Sequence, residues 1–176
     1  MKIIFLDFDG VINDWYTMNG VNFNNILVLK HIIDITGAKI VVTSSNKYSF
    51  QRGNVLYEDS LCYKRYVKAL IDNGLEVYDY TKDYGGDREL EIINYLKEHP
   101  DIAEYLILDD DYIFDKSKEH EVFLDWYKGL CDEHIKTCLN ILNGQLGFYP
   151  PDFDINEPYE KRLIRINKYY NKNSGN

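Results

Sequence analysis

Short continuous apolar runs alternate along this chain with longer segments whose apolar residues recur at helical spacing. The first run, Lys2–Leu6, ends at Asp7. Phe23–Thr36 follows with Ile26, Leu29, Ile32 and Ile33 on one helical face, and Gly37 supplies a stop. Residues 38–42 form a second apolar run, rich in β-branched side chains, that ends at Thr43. The spacing predicts a helix over 59–73, closed by Gly74, and a short strand over 75–78. Residues 87–98 read as a helix stopped near His99-Pro100, and 105–108 as an apolar run ending at Asp109. A fifth strand over 122–124 and a last helix over 132–142 complete the pattern.

Continuous apolar strands alternating with amphipathic helices imply an α/β fold with a central parallel sheet of about five strands and helices on both faces. In such sheets ligands bind outside the carboxyl ends of the strands. Here three strand ends carry Asp7, Thr43 and Asp109. At 176 residues the chain fits one compact domain with a short tail, the domain expected over 1–149. Pro150-Pro151, several acidic residues and Pro158 then predict an extended linker. Residues 159–172 place Lys161, Arg162, Arg165, Lys168 and Lys172 among Leu163, Ile164 and Ile166. This tail over 150–176 reads either as a terminal helix packed on the domain or as a basic arm for a partner or nucleic acid.

Composition narrows the function classes. Hydrophobic residues make up 45% and charged residues 28%, a globular balance. The net charge of −9 gives no general attraction to polyanions, so a long nucleic-acid footprint would need a local basic patch. Three cysteines, Cys62, Cys131 and Cys138, show no C-x-x-C pairing, which argues for reduced thiols and a cytoplasmic setting. The apolar start is too short for a signal peptide or membrane span, so no membrane partner is expected. His31, His99, His120 and His134 are scattered, and no Ser-His-Asp order, Walker loop or zinc spacing is present.

The chemistry concentrates in two acidic motifs. In Phe5-Leu6-Asp7-Phe8-Asp9-Gly10-Val11, two aspartates one residue apart at a strand end can face the same crevice. One can attack phosphorus while the other moves a proton to the leaving oxygen, and Gly10 lets the backbone turn beside an anion. A solvated acidic strand end is the alternative. Asp109-Asp110-Asp111 follows another apolar run. Carboxylates so crowded repel one another without a cation, and hard oxygen ligands from two strand ends suit Mg²⁺. A helix N-cap region is the alternative there. The Thr43 hydroxyl, with Ser44 and Ser45 behind it, can hold a phosphoryl oxygen. Lys82 and Arg88 are candidate cations, since both nucleophile and phosphoryl group are negative. Arg88 opens a helix, the less favourable end for a cation, which hints at a job other than structure.

The order D-x-D-G-V, apolar run with Thr, basic residue at a helix start and apolar run with D-D resembles the four-motif pattern of the haloacid-dehalogenase-like (HAD) superfamily, from Ile3 to Asp111. The resemblance implies a Rossmann-like HAD fold and an Mg²⁺-dependent phosphatase working through an aspartyl-phosphate. Asp7 would be the nucleophile, Asp9 acid then base, and Thr43 and Arg88 the phosphoryl-binding groups. Asp7, the Asp9 carbonyl and Asp109 would hold Mg²⁺ with Asp110 in support, while Gly10, Ser44, Lys47 and Lys82 would contact substrate. More locally, residues 37–45, 86–92, 106–111 and 128–130 resemble the small capless HAD domains linked to RNA repair, the Swiss Army Knife group. There an R-G-x-E-I-like segment occupies the third-motif position, which favours Arg88 over Lys82. Asn46-Lys47 departs from the Trp-Arg pair common in that group, and Gly86-Asp87-Arg88-Glu89 departs from its Arg-Gly.

Only 33 residues separate Asp9 from Thr43, and a helix takes nearly half of them, so no full cap domain is expected. An uncapped site suits a phosphate on a nucleic-acid end, a nucleotide or a phosphoprotein, with water excluded partly by the substrate. The segment 14–21, with Trp15, Tyr16 and Met18, can form a small flap or cap the core. A non-catalytic HAD-fold binding module is the reading from another class. No protein partner is legible.

Overall fold

The computed structural model describes residues 1–53, 55–111 and 114–147, with Lys161 and Ile164. Among residues 1–147, the described ones form in order β1 (Lys2–Leu6), α1 (Phe23–Thr36), β2 (Lys39–Val42), β3 (Gln51–Arg52), β4 (Val55–Leu56), α2 (Lys68–Asp72), β5 (Val77–Tyr80), α3 (Arg88–Glu98), β6 (Glu104–Asp109), β7 (Glu121–Phe123) and α4 (Ile135–Leu142). The main sheet runs β5-β2-β1-β6-β7 with every neighbouring pair parallel. The expected α/β architecture with five parallel strands is the one observed.

Alternation along β1 divides the core. Ile4 and Leu6 join Ile40, Val42, Leu106 and Leu108 against α1, α2 and α4. Ile3 and Phe5 face the other way, with Val41 and Ile107, against Ile92 and Tyr95 of α3. Successive side chains leave opposite faces of a strand, so a strand covered on both sides must be apolar throughout. Gly37 ends α1 at φ 65°, its N–H returning to the Ile33 carbonyl at 2.8 Å. Asp87 caps α3 by accepting the Leu90 N–H, so Arg88 is the first residue of that helix.

The strand expected over 75–78 is displaced to Val77–Tyr80. Leu75 N–H closes on the Leu70 carbonyl at 3.0 Å and finishes α2, while Thr81 N–H extends the ladder to the Val42 carbonyl. The helix over 59–73 begins at Leu61 and passes through a wide π-type turn, Tyr63–Val67, before α2. A 3-10 helix, Ser45–Ser49, and the antiparallel β3–β4 hairpin occupy the stretch between, where the sequence shows no periodic pattern. The last helix starts as a 3-10 turn, Asp132–His134, and continues as α4. The linker and basic tail expected over 150–176 lie outside the described residues apart from Lys161 and Ile164.

Candidate active site

Register brings the three strand ends level. Leu6 pairs with Val42 on one side and Leu108 on the other, so the next residues, Thr43, Asp7 and Asp109, stand side by side. Their backbones continue the ladders: Thr43 N–H donates to the Leu6 carbonyl and Asp7 N–H to the Leu108 carbonyl, both at 3.0 Å. All three are buried.

Asp7 accepts the Phe8 N–H on Oδ1 at 2.7 Å and Arg88 Nη1 on Oδ2 at 2.5 Å. The same Nη1 reaches Asp109 Oδ2, and Nη2 donates to Ser45 Oγ at 3.3 Å. Burial opposes the charge of Arg88, but Asp7 and Asp109 outweigh it and hold the guanidinium more basic than usual. Carboxylate oxygens of Asp7, Asp109 and Asp110 lie within 4.8 Å of one another. Burial, with the charges of Asp7, Asp109 and Asp111, pushes the Asp110 carboxyl up to about 8. One guanidinium therefore leaves negative charge uncompensated, and an all-oxygen cluster of this kind fits a hard divalent cation such as Mg²⁺.

Thr43 Oγ1 is buried and, among the described residues, has no hydrogen-bond partner. Buried hydroxyls are nearly always paired, so the hydrogen-bonding capacity of this one is open to a bound group. Gly10 turns at φ 62°, and a Cβ there would stand 2.1 Å from Asp110 Oδ2, which explains why the position holds glycine.

The Asp9 side chain is not among the three clustered carboxylates and has its own set of donors. Its Oδ1 accepts from Asn13 Nδ2 at 2.8 Å and from the Tyr66 hydroxyl at 2.7 Å, and its Oδ2 from Asn46 Nδ2 at 2.7 Å. Tyr66 is placed by stacking on Phe8, ring centroids 4.9 Å apart. Burial and the bond to Asp9 push its phenol above the usual range, so it remains a donor.

The family model described as the HAD domain in Swiss Army Knife RNA repair proteins matches residues 3–135, more than half of the 176. The chain belongs to this family. Neither curated proteins nor solved structures gave a match. As a member, it is a HAD-type hydrolase domain, and the residues expected for its motifs, Asp7, Thr43, Arg88 and Asp109, lie together at the carboxyl ends of the strands.

Two candidates in this HAD domain are placed elsewhere. Lys82 is exposed and binds both carboxylate oxygens of Glu98, at the far end of α3. Ten residues of helix put that end about 15 Å from Arg88, so Lys82 does not reach the carboxylates. Lys47 is buried in an ion pair with Glu91 at 2.6 Å and is not presented to a substrate. Ser44 is buried, and its hydroxyl accepts the Asn46 N–H as a helix cap. Trp15 packs on Trp126 and Tyr127, while Tyr16 and Met18 of the same segment are exposed. Cys131, Glu133 and His134 also converge, and contacts within the α4 cap account for them: Cys131 N–H donates to His134 Nδ1, and Glu133 pairs with Lys128. Asn13, Asn46 and Tyr66 were not legible as site residues, although Asn46 stood out as a departure from the family pattern. No helix among the described residues is long and apolar enough to cross a membrane.

Proposed function

We propose that the chain is an Mg²⁺-dependent phosphomonoesterase that passes its phosphoryl group through Asp7 and acts on a nucleic-acid end or a nucleotide. The observation that carries the reading is the buried Thr43 hydroxyl, without a partner among the described residues and level with Asp7, whose carboxylate Arg88 ties to Asp109. A hydroxyl, a guanidinium and a carboxylate so grouped suit a tetrahedral anion next to a nucleophile.

A carboxylate oxygen of Asp7 attacks phosphorus, and the bond from phosphorus to the ester oxygen breaks. The leaving oxygen takes a proton from Asp9, which Asn13, Tyr66 and Asn46 keep at a fixed place. Water then attacks the aspartyl-phosphate while Asp9 accepts its proton. The bond between phosphorus and Asp7 breaks, and orthophosphate leaves. Thr43 and Arg88 hold phosphoryl oxygens throughout. Mg²⁺, held by Asp7, Asp109 and the Asp9 backbone carbonyl with Asp110 in support, would neutralise charge on the phosphoryl oxygens.

The substrate class follows from two supports. Between β2 and β5 the described residues form the 3-10 helix, the short hairpin and the helical run ending in α2, which leaves little to enclose a small metabolite. The family description names RNA repair. The test is phosphate release with Mg²⁺ or EDTA from 5′- and 3′-phosphorylated oligonucleotides, nucleotides, a phosphopeptide and an aryl phosphate. Release from oligonucleotides or nucleotides that needs Mg²⁺ is expected. Preference for the phosphopeptide would move the substrate class to proteins, and release from none would favour a binding module.

A further inference from the structure

The phosphoryl site as described leaves a buried charged pair without a task. Glu91 is 0% exposed and Lys47 1%, and their ion pair spans 2.6 Å. Glu91 Oε2 also accepts from Thr81 Oγ1 at 2.7 Å, and Oε1 from the Tyr48 hydroxyl at 2.5 Å. Such a pair is weak evidence for stability, because desolvation offsets much of the attraction and apolar residues of similar volume often do as well. What distinguishes this one is what its members are attached to.

Lys47 and Tyr48 belong to the 3-10 helix Ser45–Ser49, whose first four residues each make a long-range tie. Ser45 accepts from Arg88, Asn46 donates to Asp9, and Lys47 and Tyr48 reach Glu91. Glu91 itself lies three residues beyond Arg88, on the same side of α3. Thr81 donates its N–H to the Val42 carbonyl at 3.0 Å and its hydroxyl to Glu91, so the residue before Thr43 enters the same network. One carboxylate thus fixes the 3-10 helix, the first turn of α3 and the end of β2 relative to one another.

We propose that Glu91 is a positioning residue: it holds the Ser45–Ser49 helix against α3 so that Arg88 and Asp9 keep their places around Asp7. Its kinetic consequence rests on the phosphatase reading, its geometric one does not.

The test compares Glu91→Gln, Lys47→Met and the double variant with the wild-type chain. Each single change leaves a buried partner uncompensated and lowers the melting temperature. The double variant removes both charges and recovers it. With Mg²⁺ and an aryl phosphate, the recovered double variant is expected to lose about tenfold or more in kcat, because small misplacements of catalytic groups are costly. Wild-type kcat in that variant would mean that the pair serves stability alone and would overturn the proposal. Nitrogen-15 NMR gives a readout without substrate: the Arg88 Nε–H and Asn46 side-chain amide resonances shift in the double variant. If the wild-type chain releases no phosphate while these resonances shift, the reaction reading fails and the positioning stands. Unshifted resonances overturn the positioning whatever the activity. Should the double variant not fold, Thr81→Val removes one bond to Glu91 without touching charge, and the same two readouts apply.

Discussion

Gly10 and Thr43 show how single positions separate folding from chemistry. Alanine at position 10 meets both the left-handed backbone, at a cost of about 1–2 kcal/mol, and the Asp110 carboxylate 2.1 Å from the new Cβ. Gly10→Ala is expected to lower stability by about that amount in a denaturant titration and to weaken Mg²⁺ binding, because Asp110 must move. Thr43→Val keeps the shape of the side chain and removes the unpartnered hydroxyl. Losing an unsatisfied polar group does not cost stability. Losing a donor to a charged phosphoryl oxygen costs about 100-fold in rate. Equal or higher stability together with a large loss of activity, measured on one preparation, is the expected result.

Strand β7 carries a further buried acid with its own signature. Glu121 accepts the Phe114 N–H on Oε2 at 3.2 Å, while its Oε1 is buried and without a partner among the described residues. Burial is the main reason that its carboxyl is raised to about 8 from 4.5, with the charges of Asp109 and Glu89 adding to it. Between these two values the folded chain holds a proton that the unfolded chain has lost, so stability falls as pH rises through the window. Asp110 titrates over the same range, so the informative quantity is a difference. Denaturation of wild type and Glu121→Gln at pH 5.5 and 8.5, values chosen to span about this range, is expected to show a smaller loss at high pH in the variant. The elements themselves were legible wherever burial imposes a pattern. β1, β2 and β6 are covered on both faces and must be apolar along their length. The two-residue strands of the β3–β4 hairpin repeat too little to show any period, and β5 was misplaced because Leu75, though apolar, closes a helix.

Over the whole molecule, part of the acidic charge is drawn together where the sheet ends, at Asp7, Asp109 and Asp110. A cation that binds only the folded chain must stabilise it, so Mg²⁺ is expected to raise the melting temperature of wild type and to lose that effect in Asp109→Asn. Asp7, Thr43, Arg88 and Asp109 could be read from the sequence because each sits at a strand or helix end in a fixed order. Asn13, Asn46 and Tyr66 could not, because their partners are set only by folding: Tyr66 meets Asp9 across 57 positions. Glu91 falls in the R-G-x-E-I-like segment, but its partner Lys47, 44 positions away, is likewise set only by folding. Lys82 had the right charge and a suitable place in the order, but the path of the chain carries it to Glu98.

The central claim is that Asp7 carries the phosphoryl group, and an acyl phosphate can be trapped by borohydride reduction. An aryl phosphate needs little help from an acid to leave, so Asp9→Asn should form the intermediate and then fail to hydrolyse it. That variant, given Mg²⁺ and aryl phosphate and quenched with borohydride, is expected to yield a reduced side chain at position 7 by peptide mass spectrometry, dependent on substrate and absent from the Asp7→Asn/Asp9→Asn pair. Reduction at another carboxylate, or substrate turnover by Asp7→Asn at the wild-type rate, would contradict the account.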